Sequence, residues 1–264
     1  MVTSMIEHGR QAVFSDRVEA YARARPRYPK ELATLLMGEF SLTSGATVAD
    51  IGSGTGLSSE PFLRAGCLVS GVEPDDAMRA AAERELASFD GFTSVNGHAE
   101  SIPLEASSMD LIIAGQAFHW FEPAKFRSEA FRISRTGGSL GLFWNSRQHD
   151  ASPFMTEYNE TLLQRCTEYR NEWGGRDVRD RRTPALDTLF GSGRWRETQL
   201  DNRQRLTLDL LIARVESDAY APKLGHPEYE PLIEGLTALF HRYAANGVVE
   251  LLYRTRIFLG RIEQ

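Results

Sequence analysis

A glycine-rich loop is the segment of this sequence with the clearest capacity for chemistry. Residues 48–56 read Val-Ala-Asp-Ile-Gly-Ser-Gly-Thr-Gly and join a predicted strand to a predicted helix. Glycine at positions 52 and 54 lets the backbone turn tightly and lets a ligand lie against bare main chain. The helix that follows points its positive N-terminal end toward such a ligand. The segment therefore predicts a ligand-binding loop.

The spacing of the glycines separates this loop from two other nucleotide-binding loops. A dinucleotide fingerprint reads G-x-G-x-x-G, whereas here the third glycine comes one residue early and position 57 is leucine. A Walker loop requires Gly-Lys-Ser/Thr, which this segment lacks. The second part of the signal is Glu73, 19 residues beyond Gly54 at the end of the next predicted strand. A carboxylate at that position can accept both hydroxyls of a ribose.

With this loop and this acid, the chain resembles the class I S-adenosylmethionine-dependent methyltransferases, especially the small-molecule group that includes trans-aconitate methyltransferase-like proteins. The resemblance covers nearly the whole chain and is most specific over residues 14–145. It implies S-adenosyl-L-methionine as the cofactor and S-adenosyl-L-homocysteine as the product, with Glu73 on the ribose hydroxyls. The resemblance places four residues beside the methionyl moiety, Asp50, Gly52, Gly54 and Gly56, and Ser53 among the cofactor-binding residues.

The same resemblance implies that two further loops complete the cofactor site. His98 and Ala99 follow the third predicted strand, where the family reads the adenine edge and where many relatives have aspartate in place of His98. The His98 side chain therefore has two interpretations, an adenine contact or a solvated loop residue. Recognition of adenine by the backbone N–H of Ala99 does not depend on whether histidine or aspartate occupies position 98. Gln116, His119 and Trp120 follow the fourth predicted strand, where the cofactor meets the substrate. The alternative is that the aromatic residues of this segment anchor the next helix to the core, which is the role that we expect for Phe121.

The N-terminal segment resembles the family's lid over the cofactor. Tyr21 and Tyr28 are candidates for the aromatic residue that covers the sulfonium, because the face of a tyrosine ring attracts a cation. The alternative is that both tyrosines pack between helices. The residues expected to contact the acceptor are Arg27, Tyr28, Trp120 and Arg147.

The implied reaction requires little acid–base catalysis. Methyl transfer from a sulfonium is an in-line displacement, so much of the catalysis comes from alignment of the reacting atoms. A general base is required only where the acceptor has a proton to lose. We therefore expect His119 to orient or deprotonate the acceptor. The fourth and fifth predicted strands end in Gly115-Gln116 and Asn145-Ser146 instead of paired carboxylates, so no metal is expected.

The acceptor is the least determined part of the prediction. We expect a small molecule that is methylated at oxygen, either of a carboxylate or of a hydroxyl. Arginine recognises carboxylates with two parallel hydrogen bonds, and Arg23, Arg25, Arg27 and Arg147 are candidates, although surface arginines in a chain with biased codon usage are the alternative. Transfer to carbon or nitrogen of a small metabolite also stays open. So does a cofactor-binding protein without transferase activity.

Strand-like and helix-like segments alternate around these loops. The predicted strands are 47–51, 67–72, 92–95, 109–114, 138–144, 195–200 and 248–258. The predicted helices are 16–24, 29–40, 58–65, 75–87, 123–134, 152–172, 206–214 and 231–245, with an exposed loop at 173–183. This alternation predicts an α/β fold, a Rossmann-like doubly wound seven-stranded sheet that is mostly parallel, has its last strand antiparallel and carries a helical cover. The expected organisation is a lid at 1–40, a cofactor-binding core at 41–145, and a substrate-covering insertion with the final strands at 146–264.

Composition excludes several classes of protein. The 30 basic and 36 acidic residues give a net charge of −6, which lacks the footprint of a general nucleic-acid binder. No apolar run approaches the ~18–20 residues that span a bilayer. The two cysteines form neither a disulfide framework nor a metal spacing. We therefore expect a cytoplasmic protein that acts on a small molecule, without a nucleic-acid or membrane partner, while the oligomeric state stays open.

Overall fold

The computed structural model describes residues 24–135, 138–173 and 179–263. The strands are β1 (Thr47–Ile51), β2 (Leu68–Val72), β3 (Phe92–Val95), β4 (Leu111–Gly115), β5 (Ser139–Arg147), β6 (Trp195–Leu206) and β7 (Val249–Arg261). The helices before β5 are α1 (Glu31–Glu39), α2 (Glu60–Arg64), α3 (Asp76–Glu85) and α4 (Pro123–Ile133). Those after β5 are α5 (Pro153–Arg165), α6 (Thr167–Trp173), α7 (Arg179–Phe190), α8 (Leu208–Glu216) and α9 (Tyr229–Tyr243).

One seven-stranded sheet organises the described residues, in the order β3-β2-β1-β4-β5-β7-β6. The first five strands pair in parallel, with Val48 opposite Val69 on one side of β1 and opposite Leu111 on the other. The last strands are antiparallel, so the sheet is mixed. The predicted Rossmann-like fold is therefore confirmed. Among the described residues, no helix is both long and apolar enough to cross a lipid bilayer.

Local signals explain the regular part of the sheet and its helices. Four of the five residues of β1 and of β4 are buried, as expected for parallel strands covered on both faces. The carboxylate of Asp75 caps α3 by accepting hydrogen bonds from the N–H groups of Ala77 and Met78. Pro123 occupies the first turn of α4, where its missing N–H costs nothing. These signals fix the starts of α3, which follows β2, and of α4, which follows β4.

The described chain separates into two compact units. The glycine-loop unit consists of residues 27–135, 138–145, 179–200 and 255–263, and its buried apolar side chains lie on the two faces of the parallel strands. The tyrosine unit consists of residues 24–26, 146–173 and 201–254. Its own core is built from α5, α6, α8, α9 and the strand residues between them, with Tyr158, Tyr169 and Tyr253 among its most buried side chains.

Three predicted elements differ from the structure. The single helix expected over 152–172 is two helices, because Cys166 has an extended backbone and the N–H of Thr167 bonds to the Glu228 carboxylate at 3.2 Å. The loop expected over 173–183 is wrong in its second half, since α7 begins at Arg179. The strand expected over 195–200 continues to Leu206, because its polar residues are held beside β7 in the sheet. The helix predicted over 16–24 lies almost wholly outside the described residues.

Candidate active site

The glycine loop combines close packing with one open position. Gly52, Gly54 and Gly56 all have positive φ angles, of 68°, 54° and 84°. A Cβ on Gly52 would lie 2.7 Å from the Cβ of Ala117, and one on Gly56 would lie 2.5 Å from the side chain of Leu86. A Cβ on Gly54 would meet nothing within 4 Å. The first and third glycines are thus required by packing, whereas the second leaves open space against bare backbone.

Asp50, at the end of β1, is a buried carboxylate in which only one of the two oxygens has hydrogen-bond partners among the described residues. Its Oδ2 accepts hydrogen bonds from the hydroxyls of Ser58 at 2.7 Å and Ser59 at 2.6 Å. Its Oδ1 is buried and has no partner among the described residues. Burial raises the pKa of Asp50 from 3.8 to about 6, against the two serine hydrogen bonds, which lower it, and with a small further rise from the charge of Glu73.

Thr55, in the same loop, also has a buried polar atom without a hydrogen-bond partner among the described residues. Its hydroxyl oxygen is buried and has no hydrogen-bond partner in the described part of the chain. Native proteins rarely leave such groups unsatisfied, and each one calls for an explanation. Two unsatisfied polar atoms in one glycine loop, Asp50 Oδ1 and Thr55 Oγ1, are explained by a polar ligand that supplies the missing partners.

Glu73 connects the loop to the end of β2. Its Oε2 accepts from the N–H of Gly54 at 3.0 Å, and its Oε1 accepts from the N–H of Asp75 at 3.0 Å. Burial raises the pKa of the Glu73 carboxyl, while these two backbone hydrogen bonds and the charge of Arg79 lower it. Each oxygen retains a lone pair for a ligand hydroxyl. The predicted ribose acid therefore lies directly beside the glycine loop.

The loop after β3 places its two predicted residues differently. His98 is exposed, and its backbone forms an isolated bridge with Ser101. Ala99 is buried and belongs to the apolar core on one face of the sheet. Ser53, also predicted to bind the cofactor, is buried, and its N–H bonds to the carbonyl of Val72 at 3.2 Å. The adenine contact of His98 and Ala99 stays a prediction.

The segment after β4 carries a strained backbone and an exposed aromatic pair. Gln116 has a φ of +58°, which only a few per cent of residues other than glycine adopt. Its N–H bonds to the carbonyl of Phe143 in β5 at 2.9 Å. His119 and Trp120 are exposed, with ring centroids 4.9 Å apart. Phe121 packs against Phe126 at 4.9 Å between ring centroids, which confirms its predicted core role.

Tyr28 reaches the same end of β4 from the segment before α1. A Cβ on Gly115 would lie 2.9 Å from the Tyr28 hydroxyl, and the Tyr28 ring packs edge-on against Phe143 with centroids 4.7 Å apart. Arg27, beside it, forms ion pairs with Glu60 and, at 3.8 Å, with Glu85. Tyr21 and Arg23 lie outside the described residues. Among the lid residues that the structure describes, Tyr28 thus approaches the end of β4 with its side chain.

Arg147, the last residue of β5, belongs to the tyrosine unit. Its terminal nitrogens donate to the hydroxyls of Tyr158 at 3.2 Å and Tyr220 at 2.7 Å. Burial lowers the pKa of Arg147, but Tyr220, Tyr158 and Asp218 together raise it by more, so the guanidinium keeps its charge. The side chain is only 11% exposed, which is unusual for an arginine.

Comparison with known proteins identifies the fold around the glycine loop. The methyltransferase domain family matches residues 49–142, the stretch from β1 to β5 that holds Asp50, Glu73 and the loop between them. Many solved methyltransferases share the described architecture. Residues 49–142 are thus similar to a methyltransferase domain.

Proteins similar to this chain occur in bacteria and fungi. An uncharacterised methyltransferase of Mycobacterium tuberculosis is 37% identical over 138 residues, which is 51% of this chain and 52% of that protein. The chain thus spans about half the length of the first curated relatives that it matches. An uncharacterised methyltransferase-like protein of Schizosaccharomyces pombe is 25% identical over 258 residues and 95% of each chain.

Solved structures agree on the fold. A proposed type II methyltransferase from Anaeromyxobacter dehalogenans superposes with a TM-score of 0.65 at 21% identity, over 91% of this chain and 99% of that one. A proposed methyltransferase of an antibiotic biosynthesis pathway from Anabaena variabilis gives 0.58 at 22% identity, over 90% and 98%. These likenesses support the fold alone. The trans-aconitate subgroup stays a prediction.

The residues present fit S-adenosylmethionine, the cofactor that similarity to the methyltransferase domain family implies. S-adenosylmethionine carries an ammonium on its methionyl end and two hydroxyls on its ribose. Asp50 Oδ1 is a buried acceptor without a partner, and the open face of Gly54 admits a ligand against the main chain. Sequence reasoning missed Thr55, Ser58 and Ser59, although hydroxyl residues directly after a glycine loop were visible. No group of three metal-ligating side chains comes together within the described ranges.

Proposed function

We propose that this protein transfers the methyl group of S-adenosylmethionine to an oxygen of a small-molecule acceptor. The observation that carries the proposal is the buried, unsatisfied Oδ1 of Asp50 at the start of the glycine loop, in which the open face of Gly54 would admit the methionyl end. Glu73 supports it, because its carboxylate adjoins the same glycine and retains lone pairs for the ribose hydroxyls.

The residues of the loop would bind and orient the cofactor. Asp50 would accept from the ammonium, which explains why a carboxylate is retained in a buried position. Glu73 would accept from the ribose, and Ala99 would offer its backbone to the adenine. The cofactor supplies a methyl group that is already activated by the positive sulfur. The residues of this chain need only to hold an acceptor in line with it.

The residues after β4 and before α1 would serve the acceptor. Tyr28 lies against the carboxyl end of β4, where its ring can face a cationic sulfonium. His119 and Trp120 are exposed beside that end and would contact the acceptor. His119 would take a proton from an acceptor hydroxyl, whereas a carboxylate acceptor has none to lose. We further propose Arg27 and Arg147 as acceptor contacts and the cytoplasm as the place of action.

The segment after β4 supports oxygen methylation of a small molecule over methylation of a nucleobase. Enzymes that methylate amino groups of bases often carry an Asn/Asp-Pro-Pro-aromatic string there, and this chain has Gln116-Ala117-Phe118-His119. The acidic net charge of −6 also disfavours a nucleic-acid substrate.

Radiolabelled cofactor tests the proposal. The purified protein is incubated with S-adenosylmethionine labelled in the methyl group and with a panel of mono-, di- and tricarboxylates, phenols and alcohols. A labelled methyl ester, which alkali hydrolyses to methanol, or an alkali-stable methyl ether supports the proposal. Label found in an amine or on carbon contradicts oxygen transfer. Tight cofactor binding in calorimetry without any labelled product favours a cofactor-binding protein without transferase activity.

A further inference from the structure

Two serines at the start of α2 bind one oxygen of Asp50. Ser58 and Ser59 follow the glycine loop, and Ser59 directly precedes α2. Both side chains are buried, and their hydroxyls donate to Asp50 Oδ2 at 2.7 Å and 2.6 Å. Hydrogen bonds of this length to an ionised carboxylate are charge-assisted and strong. The start of α2 thus binds a carboxylate at the end of β1, eight and nine residues earlier in the chain.

The two oxygens of Asp50 therefore differ in what they can still bind. A carboxylate oxygen has two lone pairs, and the two serines engage both lone pairs of Oδ2. Oδ1 is buried as well, but it has no hydrogen-bond partner within the described ranges. A further donor, or a proton, consequently has to bind at Oδ1.

The backbone at the end of β4 packs closely against Ser58. A Cβ on Gly115 would lie 2.8 Å from the Cβ of Ser58, so the two positions together have room for one side chain. Ser59 is completely buried. Close packing restricts both side chains, because an enclosed side chain has few other rotamers available. The hydroxyls are therefore held in place before any ligand binds.

Few charged groups lie near Asp50, so the serines have a large effect on its ionisation. β2 and β4, the strands that flank β1, contain no charged side chain. On α2, Glu60 and Arg64 form an ion pair with each other. Burial raises the pKa of Asp50, the hydrogen bonds of the two serines lower it, and the negative charge of Glu73 raises it a little further. In the described part of the chain, the serines are thus the groups that favour the carboxylate.

We propose that Ser58 and Ser59 are positioning residues for the cofactor, because they occupy Asp50 Oδ2 and leave Oδ1 as the acceptor for which the cofactor ammonium and a proton compete. The inference rests on the proposed function, which places the methionyl end of S-adenosylmethionine in the glycine loop. A protonated Oδ1 is a donor and cannot accept from the ammonium. Cofactor binding to the protonated protein therefore releases this proton to the buffer, and neither serine needs to touch the cofactor.

Carbon-13 NMR of the cofactor-free protein tests the serines without any ligand. Aspartate labelled at its carboxyl carbon is titrated from about pH 4 to about pH 9, and Asp50→Asn assigns the signal. Ser58→Ala and Ser59→Ala are each expected to raise the pKa of Asp50 by about one pH unit, because each removes one hydrogen bond to the charged form. The matched control is Ser134→Ala, which removes a buried hydroxyl that donates to the carbonyl of Ala130 at 2.6 Å. The control should leave the pKa of Asp50 unchanged.

Calorimetry with S-adenosylhomocysteine tests the consequence for the cofactor. At a pH of about 6, each serine variant is expected to bind about fivefold more weakly than wild type, because its Asp50 retains the proton. Near pH 8 the Kd values should agree within about twofold, since Asp50 is then ionised in every protein. Titrations in two buffers of different ionisation enthalpy count the protons released. At a pH of about 6 we expect about half a proton for wild type and close to one for the serine variants.

Three results overturn the proposal: an unchanged pKa of Asp50 in both serine variants, binding that is weakened by the same factor at both pH values, or a Ser134→Ala protein that behaves as the serine variants do. If one serine variant does not fold, the other decides, since each removes a single hydroxyl from the same oxygen. Failure of the proposed function gives a different result. Wild-type protein then binds no S-adenosylhomocysteine at either pH, although the pKa of Asp50 still rises in the variants, and this result overturns the link to the cofactor.

Discussion

Glu73 accepts a hydrogen bond from the backbone N–H of Gly54 at 3.0 Å, across 19 residues of chain. The other oxygen of the same carboxylate accepts from Asp75, the residue that caps α3. The side chain of Glu73 therefore connects the glycine loop after β1 to the start of the helix after β2. The proposed ribose contact and the shape of the loop depend on the same carboxylate.

Replacement of Glu73 is expected to weaken cofactor binding strongly. Glu73→Gln retains the size of the side chain but exchanges one acceptor oxygen for a donor, so at most one of the two backbone N–H bonds can persist. Hydrogen bonds to charged groups contribute about 1.5–3 kcal/mol, which corresponds to a Kd about 10- to 150-fold higher for S-adenosylhomocysteine in calorimetry. Glu83→Gln, an exposed glutamate on α3, is the matched control. An unchanged Kd for Glu73→Gln would remove the acid from the proposed site.

Alanine variants of two glycines with similar backbone conformations can distinguish a steric clash with the cofactor from the effect of backbone strain. Gly54 and Gly45 both have positive φ, 54° and 86°, and a Cβ on either would meet nothing within 4 Å. Alanine at each position should therefore lower the free energy of unfolding by about 1–2 kcal/mol through strain alone. Only Gly54→Ala is expected to abolish cofactor binding, because its methyl group would occupy the open face of the loop. Equal cofactor affinity in the two variants, measured by calorimetry beside their urea unfolding curves, would contradict this assignment.

The raised pKa of Asp50 predicts how cofactor affinity depends on pH. The folded protein holds this proton more tightly than the unfolded chain, whose pKa is near 3.8, so stability falls as pH rises from that value to about 6. The carboxylate costs the cofactor-free protein about 3 kcal/mol above that range. An ammonium beside the carboxylate would offset this cost. Affinity for S-adenosylmethionine should therefore rise with pH and level off above about 6.

Asp50→Asn should bind the cofactor weakly and without this pH dependence. Calorimetric Kd values between about pH 5 and about pH 8 make the comparison, with the exposed Asp90→Asn as control. A wild-type Kd that is constant over this range, or an Asp50→Asn protein that retains the slope, would refute the role of Asp50.

His119 can be tested for its effect on turnover apart from binding. His119→Gln keeps a polar side chain but removes the base. For a hydroxyl acceptor we expect kcat to fall about 100- to 10,000-fold, with the Kd for S-adenosylhomocysteine unchanged. Full turnover of such an acceptor by the variant would reject the base. Trp120→Phe, which alters the adjoining ring and leaves His119 in place, is the comparison variant.

Much of the glycine-loop unit follows from local signals in the sequence. β1 and β3 have the predicted bounds, 47–51 and 92–95, and α4 begins at the predicted Pro123. Short buried strands between strong turn and capping residues leave few alternatives. The glycine loop and Glu73 were recognised for the same reason, since the residues that form them lie close to strand ends.

The features that the sequence does not predict depend on contacts between residues that are distant in sequence. The helix break at Cys166 involves the carboxylate of Glu228, 61 residues from Thr167, which no local pattern reveals. Arg214 and Asp218 have a spacing of four, common in exposed ion pairs, and nothing in the sequence shows that they are buried. Likewise, Tyr158 is buried and its hydroxyl accepts a hydrogen bond from Arg147, a contact that no local pattern in the sequence predicts.

The left-handed backbone of Gln116 has a consequence for attempts to make this protein more heat-resistant. A glycine would adopt the same φ of +58° without the steric penalty of a Cβ, so the residue best suited to the backbone differs from the one present. Designs that optimise stability alone would favour glycine at this position and would discard a side chain that is predicted to bind the cofactor. Heat resistance and the predicted cofactor contact would therefore favour different residues at position 116.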